Sequence, residues 1–408
     1  MKFLARQPIL DRNRHLYAYE LLFRSSAENA FDQRDLEEAS LSMIDTSFLI
    51  GLQRLTDGQR AFVNCPRDFL LLDYVSLFPP ELVVVELLET IVPDTAVIEA
   101  CRRLKKKGYL LALDDFEDKL DWAPLVELAD FIKVDFRLSP PVQQHALAAR
   151  YAGRGIRMLA EKVETPAEFS EAMKMGYSLF QGYFFCRPEI VQHRSIPSHK
   201  LAYVQLLQSV ATPDFDMDLL ASKIKLEPSL TYKLLRYLNS PAFGLRAEIH
   251  SISHALHLLG ERELRKWIAV VAVGVLADAK PDELMKVPLI RGRFCELLAP
   301  HAGLADQASD LFLLGLLSVT DAILDQPLDV ILEELPVRTD IKEALLEQRV
   351  PYRDLLDLAI ALERGDWEKI SAMASVLRMK EEQISELYLT AVEWSNALRT
   401  ESKHPVAR

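Results

Sequence analysis

Cysteine is scarce. The chain has four in 408 residues, Cys65, Cys101, Cys186 and Cys295, and no two stand in CxxC spacing. That excludes a disulfide framework and a thiolate zinc site, and it reads as reduced thiols in the cytosol. Long apolar runs are also missing. The longest, "WIAVVAVGVLA" from Trp267, is about half of the ~20 residues a membrane span needs, so it reads as a buried helix. The opening "MKFLARQPIL" is too short and too polar for a signal peptide. A cytoplasmic protein without a membrane partner is expected. Positive charge is in deficit as well, with 48 Lys and Arg against 60 Asp and Glu, a net charge of -12. Such a chain lacks the basic face of a general nucleic-acid binder, so no direct nucleic-acid binding is expected. A nucleotide held by a few local cations stays compatible with it.

What is present is ordinary for a folded protein: 50% hydrophobic and 26% charged residues, enough for a core without staples. The length suggests two or three domains. Two halves differ in rhythm. Residues 1–190 alternate short apolar runs with amphipathic stretches. Eight runs read as strands: "FLARQPI", "YAYELLF", "RAFVNC", "LVVVELLE", "YLLALDDF", "DFIKVDF", "RMLAEKV" and "LFQGYFF". Between them lie segments such as "DTAVIEACRRLKKKG", which carries helical spacing and Gly108 at its stop. Strand and helix in alternation imply a mainly parallel sheet, and eight strands imply a TIM-like (β/α) barrel. The stretch is shorter than the usual ~250 residues, so some helices must be short or missing. Residues 191–199 form a polar linker. Residues 200–400 read as helix after helix, punctuated by Pro228, Pro241, Gly244 and Gly260, and the expected fold class is α/β plus all-α.

In such a barrel the ligand site lies at the C-terminal ends of the strands. Nearly every candidate strand carries an acid or an amide there: Glu20, Asn64, Glu86, the pair Asp114 and Asp115, Lys133 with Asp135, Glu161 with Glu164, and Gln181. One polar residue at a strand end means little. Many carboxylates inside apolar runs need cations, because a buried carboxylate is costly unless paired or metal-bound. Oxygen donors without a histidine favour Mg²⁺ or Mn²⁺ over zinc. The pattern fits metal-assisted phosphodiester chemistry, in which two divalent ions ~4 Å apart polarise a phosphate and activate water. Adjacent aspartates can supply the bridging carboxylate, and a nearby lysine can stabilise developing charge.

Taken in order, "QPI", "YELLFR", "FVN", "VVVELLET", "ALDDF", "IKVD", "AEKVET" and "FQGYFF.RP" resemble an EAL domain, the cyclic-di-GMP phosphodiesterase fold, over residues 1–190. The resemblance implies that Glu20, Asn64, Glu86, Asp114 and Asp115 are metal ligands for Mg²⁺ or Mn²⁺. It implies that Lys133 and Glu161 stand beside the hydrolytic water, with Glu161 as general base. Gln7, Arg24, Gln181 and Glu164 become ligand-binding residues, Arg24 through a bidentate guanidinium on phosphate. Three departures stand out. The first motif is Glu20-Leu21-Leu22 rather than E-A-L. Asp114-Asp115-Phe116 continues as Glu117-Asp118-Lys119, where the family has glycines that let the loop turn. Lys162 replaces the glycine of A-E-G-V-E. A changed surround of this kind commonly lowers metal affinity or activity ~10-fold or more.

The second half, "IKLEPSLTYKLLRYLNSPAFG" followed by "IHSISHALHLLG", resembles an HDOD domain, a relative of HD phosphohydrolases without the metal-binding residues. None of the nine histidines precedes an aspartate, so the HD dipeptide is absent. His250, His254 and His257 read as surface or cap residues, and Asn239-Ser240-Pro241 as a helix boundary. Glu227 stands before Pro228 where the family often has aspartate. The whole chain therefore resembles a two-domain EAL–HDOD signalling protein whose helical part is a binding or output module for a protein partner that the sequence leaves unnamed. A homodimer is left open. Two readings of the barrel stay open as well: a phosphodiesterase that hydrolyses cyclic-di-GMP to linear pGpG, and a degenerate barrel that binds cyclic-di-GMP or a protein without turnover.

Overall fold

All eight expected strands form, and they close on themselves in sequence order as a barrel, β1 to β8. The structure is a computed structural model, and it describes residues 3–24, 52–187, 198–212, 252–277, 280–335, 337–348 and 351–403. The strands are β1 (Phe3–Asp11), β2 (Leu16–Arg24), β3 (Arg60–Cys65), β4 (Val83–Leu87), β5 (Leu110–Leu113), β6 (Phe131–Asp135), β7 (Arg157–Glu161) and β8 (Leu179–Gln181). From β2 to β8 each strand pairs parallel to the next. β1 departs from the parallel expectation. It runs antiparallel to both β2 and β8, because only the turn 12–15 joins it to β2, too short for a crossover.

Helices cover part of the barrel. α1 (Thr95–Lys106) starts where Asp94 accepts from the Val97 amide at 2.9 Å, and Gly108 follows its end with φ 92°. α2 spans Pro141–Tyr151. α3 (Pro166–Met175) opens with a reciprocal capping box between Thr165 and Glu168, with proline at its first position, and stops at Gly176. The other helical pieces are short, as the length of the stretch requires: Arg67–Leu71 after β3 and Ala123–Val126 after β5 have five and four residues.

The barrel interior is layered. Ile9, Ala18, Phe62, Val84, Ala112, Phe131, Leu159 and Leu179 form one buried apolar cluster with one residue from each strand. Side chains two residues apart on a strand share a face. Two steps towards the mouth from those residues stand Glu20, Asn64, Glu86, Asp114, Lys133, Glu161 and Gln181. On β1, which runs backwards, the matching residue is Gln7. A single parity thus builds an apolar floor and a polar layer directly above it.

The described residues fall into two compact units. The first comprises Met1–Arg187, Pro281–Glu283 and Ala361–Glu386, so segments that the sequence reading places in the helical domain belong to the barrel unit. The second comprises Pro188–Lys280, Leu284–Ile360 and Leu387–Arg408. Its elements include α4 (Ser198–Ala211), α5 (Ile252–Leu276), most of α6 (Asp282–Leu298) and α7 (Ala308–Leu317). Gly315 lets α7 approach α6 closely: a Cβ there would stand 2.3 Å from the Gly292 amide nitrogen. Buried Glu296 takes an ion pair from Lys266 at 2.6 Å and another from Arg293 at 2.7 Å. Among the described residues no helix is long and apolar enough to cross a membrane. Glu227, Pro228, Asn239, Ser240, Pro241 and His250 lie outside the described residues, as do the side chains of His254 and His257.

Candidate active site

The polar layer converges on one ammonium. Lys133 Nζ lies 2.7 Å from Glu86 Oε1, 2.8 Å from Asp114 Oδ1, 2.8 Å from Glu161 Oε1 and 3.5 Å from Glu20 Oε1. The lysine is 1% exposed and Glu86 is fully buried. These groups come from β2, β4, β5, β6 and β7, so closure of the barrel is what brings them together. Gln181 fixes the far side. Its Nε2 donates to Glu20 Oε2 at 2.5 Å and to Gln7 Oε1 at 2.7 Å.

Asp114 and Asp115 are neighbours, and on a regular strand they would face opposite ways. Asp115 takes φ 39°, a left-handed conformation that aspartate tolerates better than most residues. One carboxylate oxygen each from Asp114, Asp115 and Glu161 can then lie within 4.8 Å of one another, spacing that could hold a metal ion. The donors fit a hard cation. Asn64 Oδ1, Glu86 Oε2 and Asp115 Oδ1 are buried oxygens without a hydrogen-bond partner. A lone buried acceptor of that kind is expensive unless something positive meets it. All three are oxygens, the donors Mg²⁺ and Mn²⁺ prefer.

Burial and mutual repulsion show in the acidities. Burial raises Glu161 to about 8; the Lys133 ammonium opposes that rise, while Asp114 and Glu20 add to it. Asp115 is raised to about 6, by burial first and by the Asp114 charge second. Glu86 is pushed well above the carboxylate range by burial. Burial works against the charge of Lys133, but the surrounding carboxylates hold its pKa well above the ordinary lysine value.

The loop after Asp115 is held by its own contacts in place of the glycines. Phe116 is buried with its ring edge-on to Trp122 and Tyr151, at centroid distances of 6.4 and 5.7 Å. Asp118 accepts from the Tyr151 hydroxyl and pairs with Arg150 of α2. Lys162, with φ 54° in place of the family's glycine, pairs with buried Asp135 at the end of β6.

Gln7, Glu20, Asn64, Glu86, Asp114, Asp115, Lys133, Glu161 and Gln181 therefore lie in or beside one layer. Glu164 does not join it. Its carboxylate is half exposed and pairs with Arg137 Nη2 at 2.8 Å. Arg24 ends β2, and its side chain lies outside the described residues. The anchoring pair Phe116 and Trp122 escaped the sequence reading, although an aromatic directly after the aspartates was its available signal. Tyr183 escaped it too. It stands just past the end of β8 at Gln181, inside the run "LFQGYFF".

A family model for EAL domains matches residues 3–188, and one for HDOD domains matches residues 196–326. The protein YuxH of Bacillus subtilis strain 168 is 35% identical over 407 residues, covering 97% of this chain and 98% of its own. The cyclic di-GMP phosphodiesterase CdgJ of Vibrio cholerae serotype O1 is 35% identical over 398 residues, covering 96% of this chain and 92% of its own. Among solved structures, the YkuI protein of Bacillus subtilis, with an EAL domain in complex with cyclic-di-GMP and calcium, aligns at 19% identity and a TM-score of 0.38 over 57% of this chain and 72% of its own. The chain belongs to one family with YuxH and CdgJ: it is a two-domain EAL–HDOD signalling protein.

Proposed function

We propose that the barrel hydrolyses one phosphodiester of cyclic-di-GMP to give linear pGpG, with two divalent cations, Mg²⁺ or Mn²⁺. The observation that carries this reading is the charge of the polar layer. Four carboxylates (Glu20, Glu86, Asp114 and Glu161) surround one buried lysine, Asp115 stands beside Asp114 and Glu161, and two of the five have a buried oxygen without a hydrogen-bond partner. When all are ionised, four negative charges remain, which two divalent cations balance. The name of CdgJ supports the same substrate.

Glu20, Asn64, Glu86, Asp114 and Asp115 would hold the cations. Bound there, such ions polarise a phosphate and lower the pKa of water. The residues of the chain do the rest. Glu161, with its raised pKa, is suited to take the proton of the attacking water at its carboxylate. Lys133 holds Glu161 and Asp114 in place and offers fixed positive charge where the phosphorane charge develops. Gln181 orients the Glu20 carboxylate through its amide. The buried apolar floor keeps bulk water from beneath the layer.

A second reading, binding of cyclic-di-GMP without turnover, draws on the loop after Asp115. It has no glycine, and Asp118 ties it to α2. Turnover by the purified full chain in Mn²⁺ separates the two. Formation of pGpG that Asp114→Asn abolishes supports hydrolysis. Binding without product supports the second reading, and absence of binding rejects both. The HDOD domain is proposed as the output module that meets a protein partner. A cytoplasmic location is proposed with it.

A further inference from the structure

Segment Ala361–Glu386 is far from the barrel strands in sequence, yet it belongs to the same compact unit. It starts at the end of α8 (Pro351–Arg364) and turns at Gly365, φ 67°, into α9 (Trp367–Leu377), where Asp366 accepts from the Lys369 amide at 3.2 Å. Three contacts seat this turn on the rim of the polar layer. Gln7 Nε2 donates to the Arg364 carbonyl at 3.1 Å. The Arg364 guanidinium carbon lies 5.2 Å from the centre of the Tyr183 ring. The turn packs against β2, where a Cβ on Gly365 would stand 2.8 Å from Leu22 Cδ1, and its φ of 67° favours glycine. Leu22 lies two residues beyond Glu20, and Tyr183 two beyond Gln181. By the parity that builds the barrel, Leu22 occupies the level above the polar layer, and Tyr183 stands just past the end of β8.

A ligand bearing two phosphates faces a mouth lined with carboxylates. Lys133 is buried among four of them, so its charge serves the reacting phosphate and not the part of the ligand at the rim. Arg364 brings a second cation to the rim, on an exposed side chain at the β8, β1 and β2 edge. The Tyr183 ring is a surface on which a guanidinium can rest with its N–H edge directed outward. Gln7 joins the backbone of this turn to the centre: its Oε1 accepts from Gln181, which also donates to Glu20. A continuous line of hydrogen bonds runs from the Arg364 carbonyl to the Glu20 carboxylate.

We propose that Arg364, which lies outside the EAL match, is a ligand-contacting residue of the barrel, its guanidinium pairing with a phosphate of the bound cyclic dinucleotide. The proposal rests on the reading that the barrel binds cyclic-di-GMP. No bond is made or broken by Arg364 in this role; it supplies affinity and orientation.

The test is calorimetric titration of cyclic-di-GMP into the full chain carrying Glu161→Gln, so that the ligand stays intact, in Mg²⁺ at several NaCl concentrations. Arg364→Gln keeps the backbone carbonyl that Gln7 uses and removes only the charge. It should weaken binding ~10- to 100-fold, the usual span for a lost charged hydrogen bond. It should also flatten the dependence of affinity on salt, which a purely structural role would leave unchanged. Arg364→Lys should recover part of the affinity, and thermal unfolding midpoints should match across the set. Equal affinity and equal salt dependence for Arg364→Gln would overturn the role of Arg364 and leave the barrel reading standing. No binding by the Glu161→Gln parent would overturn both.

Discussion

Lys133 Nζ and Glu161 Oε1 lie 2.8 Å apart at the centre of the polar layer, one from β6 and one from β7. Both are buried, so neither charge can exchange its partner for water. Replacing Lys133 by methionine strands the carboxylates that meet it. Loss of one partner of a buried ion pair costs ~3–5 kcal/mol, and a loss of that size is expected in urea denaturation with EDTA present. Saturating Mg²⁺ should recover part of it. An equal loss in both conditions would show that no cation enters the layer.

Glu161→Gln keeps the shape of the side chain and removes the base. Turnover of cyclic-di-GMP should fall ~10²- to 10⁴-fold, the range of general base catalysis, while affinity for the intact ligand changes only a few-fold. A variant with unimpaired turnover would remove Glu161 from the chemistry.

Stability without metal should depend on pH in an unusual direction. Glu161 near 8 and Asp115 near 6 are both raised above their ordinary values, so the folded protein holds protons that the unfolded chain has released. A raised carboxylate gives stability that is complete below the unfolded pKa and is lost as pH climbs through the folded one. In EDTA the unfolding free energy should therefore fall between about pH 4.5 and 8, by up to ~1.4 kcal/mol per pH unit for each group. Divalent cations compete with the same protons, so Mn²⁺ affinity should rise across that window. Denaturation curves at pH 5, 6.5 and 8 with and without Mn²⁺ read both effects; a metal-free curve that is flat or rising with pH contradicts the assignment.

Phe116 anchors the loop that carries Asp115. Truncation of a buried phenylalanine costs ~3–5 kcal/mol, and Phe116→Ala should show a loss of that order in thermal unfolding. Because Trp122 and Tyr151 lose the ring they pack on, Asp115 should drift and Mn²⁺ affinity should weaken ~10-fold or more. Unchanged metal affinity would detach the loop from the site.

In the helical unit, Gly315→Ala tests the close approach of α7 to α6. A methyl group there meets backbone, not a movable side chain, at 2.3 Å from the Gly292 nitrogen. Overpacking should cost at least ~1–3 kcal/mol in thermal unfolding. A neutral result would mean that the two helices separate freely.

Strand order and the residues of the polar layer were legible early because two local signals coincide. Each strand is a short apolar run, and seven of the eight have a polar residue two steps past a core residue, at or near the strand end, so composition and parity both mark it. Glu164 stands outside the layer. It follows β7 in a motif, but past the strand end parity no longer holds, and Arg137 takes its carboxylate outward. The antiparallel β1 was not legible, since its direction depends on the length of a turn and not on strand composition. Nor was the membership of 361–386 in the barrel unit, because an amphipathic helix does not name the surface it covers.

The sequence by itself determined the number of strands, the alternation of inward and outward faces, and which residues would stand one layer above the apolar floor. Those follow from a backbone whose side chains repeat every two residues. Only the tertiary structure decided what the layer is. Closure brought carboxylates of four strands within reach of one lysine, a left-handed Asp115 turned two adjacent acids to one side, and a turn some 180 residues downstream of Tyr183 set Arg364 on the rim. Contacts of that kind depend on how distant strands meet, and local pattern carries no record of it.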